Sequence, residues 1–311
     1  MKHLFMTIAM AAALTACGHR ASTDNATDVD STSTDSTVVA TNESSYVLKT
    51  DSISMAQEDS TVSVNISIDW PMAGLEVLVG NIRQYISEEM ATSIGDEKPK
   101  AVLSADGHKV LAATFNRYQH DLTRMRREAQ QEGYSEGMQY SYNLHIYLLE
   151  ANEHYVTYQS NAEGFLGGAH GFATASAQSF SAATGQRIGY ETKYNFEKEA
   201  YEISHQTLFK TPLSPKLYAL IKEGVRGYFK EFDNNAPTDE ELHDLLIGVD
   251  NVNRIPLPSS APAFTKNGLS FVYQQYEIAP YAAGMVNFNL PYDKVLPYLT
   301  KEAAALIPTG K

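Results

Sequence analysis

Thr61-Val62-Ser63-Val64-Asn65-Ile66-Ser67-Ile68-Asp69-Trp70 alternates polar and apolar residues without a break. Strict period two puts one face of a strand in a core and the other in water. Pro71 follows and is expected to stop the strand. The period then changes. Leu75, Leu78, Val79, Ile82, Ile86 and Met90 recur at three and four, the stripe of an amphipathic helix.

Working outward, Tyr46 to Ile53 reads as a preceding strand. Asp106 is placed to cap a second helix whose stripe is Val110, Leu111, Thr114, Phe115, Tyr118, Leu122 and Met125, and Gly133 ends it. Period two returns over Tyr140 to Leu149. His154 to Ser160 and Phe172 to Ser181 are further strands, and Ala183-Thr184-Gly185-Gln186 is a turn. The tyrosines at strand spacing (Tyr140, Tyr142, Tyr147, Tyr155, Tyr158) are expected in the core or in cross-strand pairs. Helical spacing marks Lys198 to Phe209, Pro215 to Phe232 and Asp239 to Leu246. Strands follow at Leu269 to Gln274 and Met285 to Leu290, then a last helical turn over Pro291 to Leu299. Strands and helices are grouped rather than alternating singly, which predicts an α+β chain. We expect two small α+β subdomains, residues 46–196 and 197–300, each an antiparallel sheet packed with helices, and a tail over 301–311.

The N-terminus has a different chemistry. Lys2 precedes an uncharged run of Leu, Ile, Met, Phe and Ala, the length of a signal-peptide core. It ends in Leu14-Thr15-Ala16-Cys17, which resembles the bacterial lipobox. Residues 1–16 are therefore expected to be removed and Cys17 to be acylated. Several acyl chains give stable anchoring where one is marginal. That places the folded part outside the cytoplasm in the cell envelope, with the outer membrane favoured over the inner. Gly18 to Ser45 is rich in Ser, Thr and Asp and is expected to be a disordered tether, completing a 17–45 segment with Cys17. A flexible coil of that length spans about 30 Å root-mean-square.

Composition removes several function classes. Cys17 is the single cysteine, so no intrachain disulfide, thiol nucleophile or Cys-ligated metal is expected. The formal charge is −13, and loss of Lys2 with the leader takes it to −14. Nucleic acid rewards clustered Lys and Arg and is not expected as a partner, whereas a basic protein is attracted. The histidines show no short ligand spacing, so no metal is expected. Asp233-Asn234-Asn235 lacks the glycine and the closing glutamate of a calcium loop. No Walker loop, dinucleotide fingerprint or Gly-x-Ser-x-Gly elbow is present, and no cofactor is expected.

Two passages carry the functional signal. Gly167-Gly168-Ala169-His170-Gly171 surrounds an imidazole with glycines, and Thr184-Gly185 follows after a strand. Gly268-Leu269-Ser270-Phe271-Val272-Tyr273 leads to Tyr276-Glu277-Ile278-Ala279-Pro280-Tyr281-Ala282-Ala283-Gly284 and a short Pro-Tyr helix. Together they resemble bacterial envelope proteins of the DUF4163/DUF3298 type, over about Tyr140 to Leu299 and more weakly from Thr61. On that resemblance 46–196 is DUF4163-like and 197–300 DUF3298-like. The family includes the extracytoplasmic domain of a lysozyme-sensing anti-sigma factor and the N-terminal region of a peptidoglycan deacetylase. Neither a sigma-binding segment nor a deacetylase domain is recognised in this sequence. The resemblance therefore implies a non-catalytic binding role, with a lysozyme-like protein or peptidoglycan as partner. The residues of the two motifs (Gly167, Gly168, His170, Gly171, Tyr276, Glu277, Tyr281) are the candidate binding residues. The alternative is a hydrolase or transferase with His170 and Glu277 as an acid–base pair. His170 is otherwise expected to bridge buried backbone groups of neighbouring strands. Glu277, in an apolar and aromatic passage, is expected either to be buried with a raised pKa or to be a satisfied acceptor between strands.

Overall fold

Val64, Ile66, Ile68 and Trp70 are all buried, while Asn65 between them is exposed, so the period-two reading sets the orientation of the first sheet. The computed structural model describes residues 38–40, 47–91, 101–134, 137–195, 200–233 and 235–308. Cys17 and the leader lie outside the described residues, as does most of the expected tether. Val38–Ala40, inside that tether, forms a short strand β1 on β2 (Val47–Glu58).

The first sheet has seven strands in sequence order: β1, β2, β3 (Val62–Ala73), β4 (Tyr140–Ala151), β5 (Tyr155–Phe165), β6 (Phe172–Ser181) and β7 (Arg187–Ile188). The chain is α+β, but its sheets are not wholly antiparallel. β3 and β4 run parallel, from Val62 opposite Tyr140 to Ile68 opposite Ile146. A parallel pair needs a long crossover. Here it is the helix pair α1 (Glu76–Met90) and α2 (Gly107–Gln131). Asp106 caps α2 by accepting from the backbone N–H of His108 and Lys109. Pro71 does not stop β3. It sits opposite Thr50, where a register shift between Lys49 and Thr50 opens the ladder, and beyond the last residue paired to β4. No ladder donor is needed there.

α1 and α2 cover one face of this sheet. Leu78, Ile82, Ile86, Leu111, Phe115 and Tyr118 pack onto the apolar rows of β3 to β6. A second core lies on the other face, at the β5–β6 end. It is built from α3 (Pro215–Asp233), α4 (Asp239–Leu245), the three-stranded sheet β10 (Ala263–Thr265), β11 (Gly268–Val272) and β12 (Asn287–Leu290), and the short helices α5 (Tyr292–Val295) and α6 (Lys301–Ala304). β8 (Glu191–Asn195) and β9 (Ala200–Ser204) follow β7 in the chain and form a separate antiparallel pair. The expected helix over Lys198 to Phe209 is not formed where it is described: Ala200–Ser204 is a strand, because pairing with β8 takes it over, and residues 205–209 are irregular.

β5 is the common wall. Tyr155, Val156, Thr157 and Tyr158 are consecutive and all fully buried. Val156 and Tyr158 belong to the first core and Tyr155 to the second. Thr157 and its cross-strand partner Ser179 meet the backbone of Phe264 in β10. No described helix is long and apolar enough to cross a membrane.

Candidate binding site

The Gly167–Gly171 passage is the loop of the β5–β6 hairpin, which closes at Gly164 opposite Phe172. Gly167 and Gly168 have φ of +92° and +94°, which side chains resist, and a Cβ on Gly167 would lie 2.5 Å from the Tyr140 hydroxyl. The loop throws His170 outward. The imidazole is exposed, not buried between strands as expected. Its Nδ1 donates to the Gly171 carbonyl at 2.8 Å, leaving Nε2 to accept from the Tyr276 hydroxyl at 3.4 Å. Tyr281 stacks on the ring at 3.9 Å between centroids and donates its hydroxyl to the same Gly171 carbonyl at 3.0 Å. Tyr276 and Tyr281 rings lie 5.8 Å apart. His170, Tyr276 and Tyr281 form one aromatic ledge.

The far side of the ledge is held by side chains acting as backbone. Among the described residues, the upper edge of β6 has no neighbouring strand beyond its short pairing with β7. Gln274 fills the gap: its Oε1 accepts from Ala175 N–H at 3.1 Å and its Nε2 donates to Ala175 O at 2.6 Å. Gln275 Oε1 accepts from Ala173 N–H at 3.2 Å. Gln274 and Glu277 close a tight turn through the Glu277 N–H to Gln274 O bond. Tyr276 is the third residue of that turn, with φ +65° and 56% of its surface exposed.

Glu277 points the other way. Its carboxylate accepts from the Gln274 N–H at 2.7 Å and from the Ser259 N–H. Burial raises its pKa, and these backbone bonds pull in the opposite direction. No hydrogen bond or ion pair joins it to His170, so the sequence-expected acid–base pair is not assembled. One carboxylate oxygen is committed to the turn and the other to the Ser259 backbone.

Beside Tyr276 lies an open cleft of about 690 Å³. Its walls include Asp250, Asn251, Arg254, Gln275, Tyr276 and Glu277. A smaller cavity of about 260 Å³ separates β5 and β6 from the second sheet, between Gln159, Ala175, Ala261, Val272 and Met285. Among the described residues no group of three His, Cys, Asp or Glu is placed to hold a metal ion.

Residues 206–293 match the family model described as "Protein of unknown function (DUF3298)". This stretch is a DUF3298 domain. The whole fold is similar to the crystal structure of a DUF3298 family member from Bacteroides fragilis NCTC 9343, with a TM-score of 0.58 and 17% identity over 85% of this chain and 98% of that one. A DUF3298 family protein from Pseudomonas aeruginosa PAO1 aligns over 92% of this chain and 99% of its own, with 11% identity and a TM-score of 0.45. No curated protein matches the chain.

The DUF3298 domain supplies Tyr276, Glu277 and Tyr281, while His170 comes from the hairpin loop outside it. Of the sequence-selected residues, His170, Tyr276 and Tyr281 converge, Gly167 and Gly168 shape the loop, Gly171 supplies the carbonyl that His170 and Tyr281 share, and Glu277 fixes the turn. Asp250, Asn251 and Arg254 were not selected. They sit around a short 3₁₀ turn, Val252–Arg254, and nothing in their spacing marks a site.

Proposed function

We propose that this chain is a non-catalytic binding lipoprotein of the bacterial cell envelope, acylated at Cys17 and carrying a DUF4163-like N-terminal part ahead of its DUF3298 domain. The observation that carries the reading is the exposed ledge of His170, Tyr276 and Tyr281 beside a carboxylate already used up by backbone. Aromatic rings with polar edges and open faces are suited to recognition. A proton-transfer site would need a free base within reach of the imidazole, and both Glu277 oxygens already accept from the backbone N–H groups of Gln274 and Ser259. The partners that fit an envelope location are peptidoglycan, or a lysozyme-like protein, whose positive charge suits a chain of formal charge −13. The outer membrane is the favoured site of the anchor. Sedimentation of the full chain with purified peptidoglycan, and its capture on immobilised lysozyme, test the reading. Retention by either supports it. Retention by neither overturns it, and turnover in a glycan or ester hydrolase screen would then favour the hydrolase alternative.

A further inference from the structure

We propose that the cleft beside Tyr276 is a saccharide subsite that takes an uncharged oligosaccharide bearing acetamido groups, with Tyr276 as the stacking platform. This rests on the envelope-binding reading above and names its ligand class. The first ground is strain. The third position of a tight turn with positive φ is where glycine or asparagine belongs. Tyrosine at φ +65° is held there against its own backbone preference, and the ring is more than half exposed, so core packing does not account for it. Sparsely populated backbone states persist where the surroundings over-determine them, and they cluster at ligand sites. Here Glu277, Gln274 and Gln275 clamp the turn from three sides.

The second ground is the chemistry of the cleft. Its volume of about 690 Å³ falls in the range of small-molecule sites, about 300–1,000 Å³. Arg254 and Asp250 both line the cleft and are exposed, and among the described residues neither has an ion-pair partner. The Gln275 amide spends its oxygen on Ala173 and keeps its Nε2 donors. The Asn251 oxygen caps Asn253, which leaves its amide donors as well. One cation, the Asp250 anion, the Glu277 carboxylate already neutralised by two backbone N–H bonds, and spare amide donors make a lining rich in hydrogen-bonding groups and without a dominant charge. A basic protein would meet Arg254, a phosphate or nucleotide would meet Asp250, and a lipid chain would meet amides. A neutral polyol with amide substituents is served by all of them, its apolar ring face laid on Tyr276.

Calorimetric titration of the full chain with tetra-N-acetylchitotetraose, with cellotetraose as the acetamido-free control, tests this. We expect binding of the first and at least tenfold weaker binding of the second. Tyr276→Gly should weaken chitotetraose binding about tenfold or more with no fall in melting temperature, because glycine relieves the turn. Tyr276→Phe should bind within threefold of wild type, and Arg254→Ala should weaken binding without altering the melt. No chitotetraose binding by wild type overturns the saccharide subsite. If the same preparation still retains peptidoglycan or lysozyme, the envelope-binding reading stands; if it retains neither, that reading falls with it. Tyr276→Gly melting below wild type, or binding as wild type does, overturns the role of the ring.

Discussion

Ser179→Ala should weaken the buried polar junction between the two cores. Ser179, Thr157 and Phe264 are all fully buried. The hydrogen-bond directions follow from donors and acceptors alone. The Phe264 N–H donates to Ser179 Oγ at 2.8 Å, and Thr157 Oγ1 donates to the Phe264 carbonyl at 2.8 Å. The Thr157 proton is thereby spent, so the Ser179 hydroxyl must donate to Thr157 Oγ1 across their 2.8 Å contact. The three groups form a closed ring of bonds in a dry site, where each polarises the next. Alanine removes the acceptor of the Phe264 N–H and one donor to Thr157. A stranded buried donor costs about 1–3 kcal/mol. In a chain of this size each kcal/mol moves the midpoint by about 2–4 °C. Urea unfolding followed by the single tryptophan, Trp70 in the first core, and by far-ultraviolet circular dichroism reads both cores. Thr157→Val should cost a similar amount. The double variant should cost less than the sum, since either change breaks the ring. A Ser179→Ala protein within about 0.3 kcal/mol of wild type, or strict additivity, would refute the reasoning.

His170→Ala should change stability by less than about 0.5 kcal/mol, as an exposed side chain away from the core does, in a melt read beside wild type. A loss of several kcal/mol would return His170 to the buried role expected from sequence. Glu89 accepts from Ser176 Oγ at 3.0 Å, and burial holds its pKa above the usual carboxylate value of 4.5 against the pull of Ser160 and Ser176. The folded state therefore keeps this proton to higher pH than the unfolded state does, and the stability it lends is lost as pH rises through the raised pKa. Relative to wild type, Glu89→Gln should gain stability on going upward from about pH 4.5; urea midpoints across pH 4 to 8 that diverge the other way would contradict this. Gly185→Ala should destabilise by more than about 1 kcal/mol, because φ is +73° and its Cβ would lie 2.5 Å from the Leu78 nitrogen; an unchanged melt would show that the turn can shift. Cys17→Ala should abolish metabolic palmitate labelling, and persistent label would remove the lipobox assignment.

Much of the fold was legible because its elements are set locally. The Val62–Ile68 alternation, the Leu78–Met90 stripe and the Asp106 cap each depend on residues within a few positions, and each appears as read. Pairing is not local. Period two says which face of β3 is buried, and it does not say whether β4 runs with or against it. Residues 200–204 carry Tyr201 and Ile203 at strand spacing as well as Ala200 and Ile203 at helix spacing, and the partner strand breaks the tie. The site followed the same rule. Gly167 to Gly171 and Tyr276 to Tyr281 stood out as unusual passages, but His170 and Tyr276 are 106 residues apart and are joined by glutamine side chains docking on a strand edge. No spacing in the sequence announces that contact.

The strand buried on both sides has a consequence for what counts as a unit. The DUF3298 match starts at residue 206, after β5, β6 and β7 have already passed. A fragment beginning there would carry Phe264 with no Thr157 or Ser179 to meet its backbone, and a hydrophobic floor missing Tyr155, Ile188 and Tyr190. The segment that recurs as a recognisable sequence is therefore smaller than the core it belongs to. Inheritance and packing draw their borders at different places along this chain, and the border of the second core reaches back to Tyr155 in β5.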